Sequence, residues 1–458
     1  MSGRNIFSVA MAFILLFMME VAHAQWARTL GGESGDWANS IQRTSDGGFI
    51  VAGATTSFGA GSKDAWIVKL DAYGDVEWQK TYGGWDLEEA TSVQQTADGG
   101  YIVAGWTGSF GNSPSDVWVM KLTSGGDIEW QKIYGGGGTD WATSVQQTPE
   151  GGYIVAGWTE SFGAGYADIW VLKLDERGDV SWQKTYGGGD NDRAYSILRT
   201  SDGGYIVAGE TQSFGDGAPH VWILKLQGNG DVSWQKTYEG DEGEHAYSVQ
   251  QTTDGGYIVA GEYGGDPWVL KLDSTGAIQW QRSYTGRGAA SSVQQTPDGG
   301  YIISGSLSSS YGDPEAWLLK LDSHGNVSWQ RTYGGSGADW ASYLQETGDG
   351  GYMVAGLTYS FGAGDSDLWL LKVDGRGDIY GCPLEKEVQG SGWETNATVV
   401  DTHGVGQETN VSGQDSAATI TVPTVSQAQQ CSGGGQPSGY TLLCINRAWG
   451  GSPATPRG

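Results

Sequence analysis

The residues best suited to chemistry are six acids, each two positions before an alanine in the segment that leads into a sequence repeat. They are Asp36, Glu88, Asp140, Asp192, Glu244 and Asp339. Carboxylates that converge on one opening attract a cation or a basic partner. The same acids could instead tie their own loops or pair with nearby lysines. The pattern leaves both interpretations open.

Tryptophans stand beside these acids. Trp37, Trp141 and Trp340 directly follow three of them, and Trp106 and Trp158 end the next predicted strand. Flat aromatic faces near acids are typical of a sugar-binding surface, and they also fill cores. One repeat has Arg287-Gly288-Ala289-Ala290 instead of the acid motif. Any site around the ring is therefore expected to be asymmetric.

A lysine recurs among apolar neighbours in every repeat. A ring of cations would suit an anionic ligand, but a buried ammonium needs partners wherever it occurs. Occurrence in all seven repeats favours a structural role. The seven are Lys69, Lys121, Lys173, Lys225, Lys271, Lys320 and Lys372.

Catalytic motifs are absent from the sequence. It has no His-Glu-x-x-His, no nucleophile elbow and no P-loop, and its 5 histidines lack metal-ligand spacing. We therefore expect no cofactor and no metal. A carboxylate pair for glycoside hydrolysis could still hide among 53 acids.

The elements that position these residues come from a repeat. Variants of Asp-Gly-Gly-Tyr-Ile-Val-Ala-Gly recur at steps of 52, 52, 52, 52, 44 and 51 residues. Each unit reads as four short strands with two tight turns and no helical period, which is one blade of a β-propeller. They start at Asp46, Asp98, Glu150, Asp202, Asp254, Asp298 and Asp349.

The count of strands predicts how the ring closes. The fourth strand of a unit carries a Trp-Gln-Lys/Arg motif that occurs only six times after the first repeat begins, and Trp26-Ala27-Arg28 looks like the seventh copy. The predicted fold is thus an all-β, seven-bladed propeller over residues 25–380, closed by the N-terminal strand. Its two tight turns per blade define the turn face, and the other connections define the loop face around the channel.

The motifs resemble known repeats. Lys-Leu-Asp-x-x-Gly-Asp-Val-x-Trp-Gln is similar to pyrroloquinoline-quinone-type propeller repeats, and Gly-Gly-Tyr-Ile-Val-Ala-Gly resembles secreted bacterial and archaeal β-propeller proteins, some of them grouped with endoglucanases. The resemblance implies the fold over about 355 residues. It carries no chemistry by itself, and the cofactor and metal residues of the quinone enzymes have no match here.

Both ends of the chain differ from the repeat. Residues 1–24 read as a secretory signal peptide cut before Gln25. Residues 381–458 form a Ser/Thr/Gly-rich tail or small module, with strands predicted near 396–399 and 418–422. Its cysteines, Cys382, Cys431 and Cys444, predict one disulfide and one leftover thiol, without fixing the pair.

These features predict a secreted, extracellular or periplasmic monomer that binds a protein, glycan or cation on its loop face. A net charge of −28 argues against nucleic acid and anionic membranes, and no later segment is apolar enough for membrane insertion. The alternative is an extracellular carbohydrate-active enzyme, similar to an endoglucanase. Binding without catalysis is the interpretation that the sequence favours.

Overall fold

The computed structural model describes residues 25–111, 113–240, 243–284, 286–308 and 312–380, together with the backbone of seven short strands farther along the chain. Residues 1–24, where the signal peptide is predicted, lie outside the described residues. Seven sheets, each built around four antiparallel strands, form the seven blades of a β-propeller. The predicted fold class is confirmed.

Consecutive strands pair within each blade, and the first of the four lines the central channel. The N-terminal strand is β1 (Trp26–Gly31). Blade 1 comprises β2 (Asp36–Arg43), β3 (Phe49–Thr55), β4 (Asp64–Leu70) and β5 (Val76–Gly83). Blade 2 comprises β6 (Glu88–Gln95), β7 (Tyr101–Thr107), β8 (Asp116–Leu122) and β9 (Ile128–Tyr134). Blade 3 comprises β10 (Asp140–Gln147), β11 (Tyr153–Thr159), β12 (Asp168–Leu174) and β13 (Val180–Tyr186).

The remaining blades follow the same order. Blade 4 comprises β14 (Asp192–Arg199), β15 (Tyr205–Thr211), β16 (His220–Leu226) and β17 (Val232–Glu239). Blade 5 comprises β18 (Glu244–Gln251), β19 (Tyr257–Tyr263), β20 (Asp266–Leu272) and β21 (Ile278–Tyr284). Blade 6 comprises β22 (Arg287–Gln295), β23 (Tyr301–Ser308), β24 (Glu315–Leu321) and β25 (Val327–Tyr333). Blade 7 comprises β26 (Asp339–Glu346), β27 (Tyr352–Thr358), β28 (Asp367–Val373) and β1.

The N-terminal strand closes the ring as predicted. β1 pairs antiparallel with β28, with Trp26 opposite Lys372, just as Trp78 lies opposite Lys69 in blade 1. Trp26 also packs on the next blade: a Cβ added at Gly74 would meet its ring at 2.0 Å. Arg28 binds Asp75 at 2.8 Å. The chain ends are thus joined through side chains as well as through the sheet.

The apolar core lies between neighbouring blades. Each third strand places a fully buried tryptophan against the adjacent blade. Outer-strand tyrosines cross the same boundary, as where the Tyr82 hydroxyl donates to the Gly126 carbonyl at 2.6 Å. Both faces of each blade are covered, which explains why the third strands are apolar on both sides. The seven tryptophans are Trp66, Trp118, Trp170, Trp222, Trp268, Trp317 and Trp369.

The recurrent lysines have partners on the turn face. Lys121 Nζ lies 2.9 Å from Asp98, in the Asp-Gly-Gly turn of its own blade, and donates to the Leu122 carbonyl at 3.1 Å. Five more lysines pair with the turn acid in the same way, namely Lys69, Lys225, Lys271, Lys320 and Lys372. In blade 3, Lys173 instead donates to the Thr148 hydroxyl at 2.9 Å. These contacts explain the lysines without a ligand.

The first turn needs its glycines for two reasons. Gly47 has a φ of 88°, which only glycine adopts readily. A Cβ at Gly48 would meet the Leu70 carbonyl oxygen at 2.2 Å and Lys69 Nζ at 2.8 Å. The Asp-Gly-Gly turn therefore forms the pocket that holds the lysine ammonium.

Short strands of the tail add a fifth strand to each blade. They run backwards around the ring, through blades 6, 5, 4, 3, 2, 1 and then 7, each antiparallel to the outermost strand. They are β29 (Glu385–Glu387), β30 (Gly392–Glu394), β31 (Thr398–Asp401), β32 (Gln407–Glu408), β33 (Gln414–Asp415), β34 (Thr419–Thr421) and β35 (Ser426–Ser432). β31 and β34 overlap the two predicted strands. Cys431 lies in β35, whereas Cys382 and Cys444 fall outside the described residues, so the disulfide stays a prediction.

Candidate functional site

The loop face carries the six predicted acids at the start of the innermost strands, around the channel as expected. Their side chains, however, point into the blade rather than into the channel, and all six are fully buried. A role in ligand binding stays a prediction for these positions. What the structure does show is how each acid organises its loop.

Asp140 illustrates the arrangement. Its carboxylate accepts hydrogen bonds from the Gly136 amide at 2.9 Å, the Ser161 hydroxyl at 2.7 Å and the Thr159 hydroxyl. It thereby joins the loop leading into blade 3 to the loop that follows β11. Burial raises the pKa of Asp140, against the hydrogen bonds that lower it. A substitution at this position alters both loops.

A second set of acids, which the sequence analysis did not single out, lies beside the first. These acids begin the third strands, and each lies across a blade boundary from a loop acid. A Cβ added at Gly83 would meet Asp64 Oδ1 at 2.0 Å and Glu88 Oε2 at 2.6 Å, so both carboxylates crowd one point. Asp116, Asp168 and Asp367 repeat this geometry beside Asp140, Asp192 and Asp36. The sequence did contain a signal for this second set, namely an acid that recurs two residues before the third-strand tryptophan.

Two buried carboxyl groups that lie next to each other are difficult to ionise at the same time, because their negative charges repel. Burial, and then the negative charge of Asp36, raise the pKa of Asp367 to about 6. At the boundary of blades 4 and 5 the second acid is replaced by His220, whose Nδ1 lies 2.9 Å from Glu244. Its Nε2 lies 3.0 Å from Asp216. Burial lowers the pKa of His220, but the hydrogen bonds to Glu244 and Asp216 outweigh it, so that the pKa is raised.

Four of the five predicted tryptophans form an arc on the loop face, and charged side chains lie over some of their rings. They are Trp37, Trp106, Trp141 and Trp158. Trp141 stacks on Trp106 with ring centroids 4.7 Å apart, and its other neighbour is Trp158 at 5.3 Å. Lys63 Nζ lies 4.1 Å above Trp106 and 5.6 Å from Trp37. Trp106 and Trp158 are buried, while Trp37 and Trp141 are half-buried. Three of the rings, Trp106, Trp141 and Trp158, pack on one another, and Lys63 joins Trp37 to them.

Charged side chains continue the arc through blades 4 and 5. Arg193 lies over Trp158 at 5.2 Å and binds Glu210 at 3.2 Å. His245 also bonds to Glu210 and stacks on Tyr247. The hydrogen bond and charge of Glu210 raise the pKa of His245, despite its burial. The cations of this arc are therefore matched by local carboxylates.

Residue pairs at one register level explain where the arc stops. In blade 3 the pair is Trp141 opposite Trp158, and in blade 4 it is Arg193 opposite Glu210. Blade 6 has only Ala289 opposite Ser306. We call the space beside Ala289, Ser306 and the neighbouring Trp340 the blade 6 gap.

A cavity of about 620 Å³ occupies the channel and extends into the blade 6 gap. Blades 1 to 5 contribute only two residues each to its wall, whereas blades 6 and 7 contribute eight. Hydroxyl and aromatic groups dominate the described lining, which includes no charged side chain. One ring of this wall is Asn39, Thr91, Thr143, Tyr195, Tyr247, Ser291 and Ser342. Sequence analysis predicted an asymmetric site but missed this ring, whose polar types vary between blades.

Among the described residues, no group of three or more His, Cys, Asp or Glu side chains could hold a metal ion. In the same part of the chain, no helix has the length and apolar character needed to cross a bilayer.

Comparisons with known proteins add similarity without function. No protein-family model matches the chain. It is 29% identical over 128 residues to the regulatory protein FlaEY of Caulobacter vibrioides, a stretch that is 24% of this chain and 13% of that protein. The chain thus spans a small part of that relative's length.

The solved structures that resemble this chain do so with low TM-scores and low sequence identity. A protein from Lactobacillus plantarum is 14% identical, with a TM-score of 0.44, covering 80% of this chain and 96% of its own. Sqt1 from Chaetomium thermophilum is 12% identical, with a TM-score of 0.44, covering 86% and 99%. The assignment of a seven-bladed propeller therefore stands on the strand pairing described above.

Proposed function

We propose that this chain is a secreted binding protein that takes a glycan in the channel cavity of its loop face, without catalysing a reaction. The observation that carries the proposal is the wall of the cavity, which offers hydroxyls and aromatic rings and no charged side chain among the described lining residues. Sugars are recognised by such polar groups together with flat apolar faces. The volume of about 620 Å³ falls within the range of small-molecule sites.

The wall favours a glycan over a bare cation. A cation site needs carboxylate or carbonyl oxygens directed at the ion. Here the loop-face acids point away from the channel and accept hydrogen bonds from their own loops. A monomer that presents this cavity to a soluble or surface-attached glycan is the form that we propose.

The wall also favours binding over hydrolysis. Glycosidases place two carboxyl groups about 5–10 Å apart on either side of the scissile bond. The described lining contains no carboxylate, so an endoglucanase-like reaction has less support than binding.

Filling the cavity tests the proposal. Ala289→Trp gives blade 6 the ring that Trp141 gives blade 3, and we expect it to abolish glycan binding while the melting temperature stays within a few degrees. Binding would be measured by calorimetry against a panel of soluble oligosaccharides, beside a reducing-sugar assay for cleavage. Tyr73→Ala, on the turn face and 44% exposed, is the matched control and should bind normally.

The results can contradict the proposal in two ways. Release of reducing ends by the purified protein would establish the enzyme alternative. Normal binding by Ala289→Trp would place the ligand elsewhere on the molecule.

A further inference from the structure

The blade 6 gap holds hydroxyls that the fold does not use. Thr91 and Thr143, on the far wall, donate to backbone carbonyls, as in the 2.8 Å bond from Thr91 to Ala142. Among the described residues, the hydroxyls of Ser291, Ser306 and Ser342 make no hydrogen bond within the protein, although all three line the cavity. Unused donors gathered on one side of a cavity indicate where a polar ligand gains most.

Trp340 offers an open indole face beside these hydroxyls. Trp141 is covered by its neighbours, and Trp37 spends its indole N–H on Glu89 at 3.1 Å. Trp340 has an edge contact with Tyr359, whose centroid lies 5.9 Å away at 71°. Among the described residues, no ring stacks parallel on Trp340 and no cation lies over it. Its face is free to stack against a sugar ring.

Arg287 lies at the rim of the same gap. β22 is paired regularly from Arg287 to Ala290, so Arg287 lies on the same side of the strand as Ala289, which lines the cavity. Arg287 is exposed and makes no ion pair among the described residues. The other loop-face cations have partners, such as Lys63 with Glu89 at 2.6 Å. A guanidinium that forms no ion pair within the described residues is suited to a carboxylate from a ligand.

We propose that the blade 6 gap binds a uronic acid unit of a glycan, with its ring against Trp340, its hydroxyls on the serines and its carboxylate on Arg287. This rests on the proposed glycan-binding function and names the class of sugar. The net charge of −28 does not prevent it, because charges beyond about 8 Å are largely screened at physiological salt. The nearest loop acid of blade 7, Asp339, is buried and bonded to Gly335 and Ser360.

The test compares two ligands of equal length and linkage. Calorimetry would measure tetragalacturonate and its carboxyl-reduced, neutral counterpart against the chain beginning at Gln25. We expect the uronate to bind about ten-fold more tightly, as one charge-assisted bidentate contact allows. Arg287→Gln should remove that preference while leaving neutral binding intact. Trp340→Ala should weaken both ligands about ten-fold or more, and Arg177→Gln, an exposed arginine of the turn face, should change neither.

Each outcome decides between the two proposals. Equal affinity for both tetrasaccharides, or an unchanged preference in Arg287→Gln, would overturn the uronate inference and leave glycan binding standing. Failure of every oligosaccharide in the panel to bind would overturn both. Unchanged melting temperatures would exclude unfolding as the cause of lost binding.

Discussion

The turn face and the loop face of the ring are built from the same repeat, but they differ in how far their contacts recur from blade to blade. On the turn face, six of seven blades carry the same pair of a buried lysine and a turn aspartate. On the loop face, the residue after each acid changes from blade to blade. It is Trp37, Glu89, Trp141, Arg193, His245 or Trp340, and Ala289 holds the same place in blade 6.

The difference separates what every blade needs from what one ligand needs. A contact repeated in nearly every blade answers a requirement common to all of them, which is to hold the blade in the ring. A position that varies among otherwise similar blades is free of that requirement. The blade 6 gap lies in the variable set, and we therefore place binding there and stability on the turn face.

Removing β1 should have the largest effect, because it breaks both faces at once. A chain that lacks residues 25–32 loses the contacts of Trp26 and Arg28 with the turn of blade 1, and also the Gly32 amide that bonds Asp36. Loss of one buried tryptophan alone costs about 3–5 kcal/mol, so we expect no cooperative thermal transition near that of the intact ring.

Circular dichroism would follow this unfolding. Trp85→Ala, which removes a ring that is 74% exposed on the loop face, serves as the control and should melt normally. An unchanged melting temperature for the truncated chain would disprove the closure.

Substitution of the turn-face lysines should lower stability without changing glycan binding. Lys121→Met removes a buried ammonium from Asp98 and should cost about 1–3 kcal/mol of unfolding free energy. Lys173→Met should cost less, because Lys173 bonds to a neutral threonine and burial lowers its pKa. Urea denaturation would measure both. A Lys173→Met protein that melts normally but no longer binds glycan would move this lysine into the site.

The two faces should respond to pH with opposite signs. The pKa of Asp367 is raised from 3.8 to about 6, so its stabilising effect is present below pH 4 and is lost as the pH rises through about 6. Partial burial raises the pKa of Asp98, but bonds from Thr96 and Lys121 outweigh it and lower the value to about 2. That contribution is present above pH 4 and is lost as the pH falls toward 2.

Substitutions can isolate the two slopes, each at most about 1.4 kcal/mol per pH unit for one group. Asp367→Asn should flatten the fall in unfolding free energy between about pH 4 and pH 6, and Asp98→Asn should flatten the acid side, between about pH 2 and pH 4. Urea titrations at each pH would measure this. An unaltered profile for Asp367→Asn would mean that the carboxylate pair at this boundary does not govern stability between pH 4 and pH 6.

The repeat made the fold predictable, and its exceptions pointed to the proposed site only in part. Seven copies of one unit fix the strand order, and the missing outer tryptophan identified Trp26 as the closing residue. The direction of the acid side chains was not readable: Asp140 and Trp141 are regularly paired neighbours on β10, and only the contacts of Asp140 with Thr159 and Ser161 show that it faces the blade and its loops. The cavity wall was also hidden, because Ser291 and Ser342 are common loop residues whose significance comes from what surrounds them.

The pairing of β1 with β28 has a consequence for the time course of folding. β1, the first strand of the described residues, is joined to one that comes more than 300 residues later, as the pairing of Trp26 with Lys372 shows. Contacts between such distant residues form slowly, because the loop between them must first be ordered. We therefore expect the blades, whose strands pair with near neighbours in the chain, to form before the ring closes. Until then β28 has an unpaired edge, and a neighbouring chain that offers its own N-terminal strand competes for it.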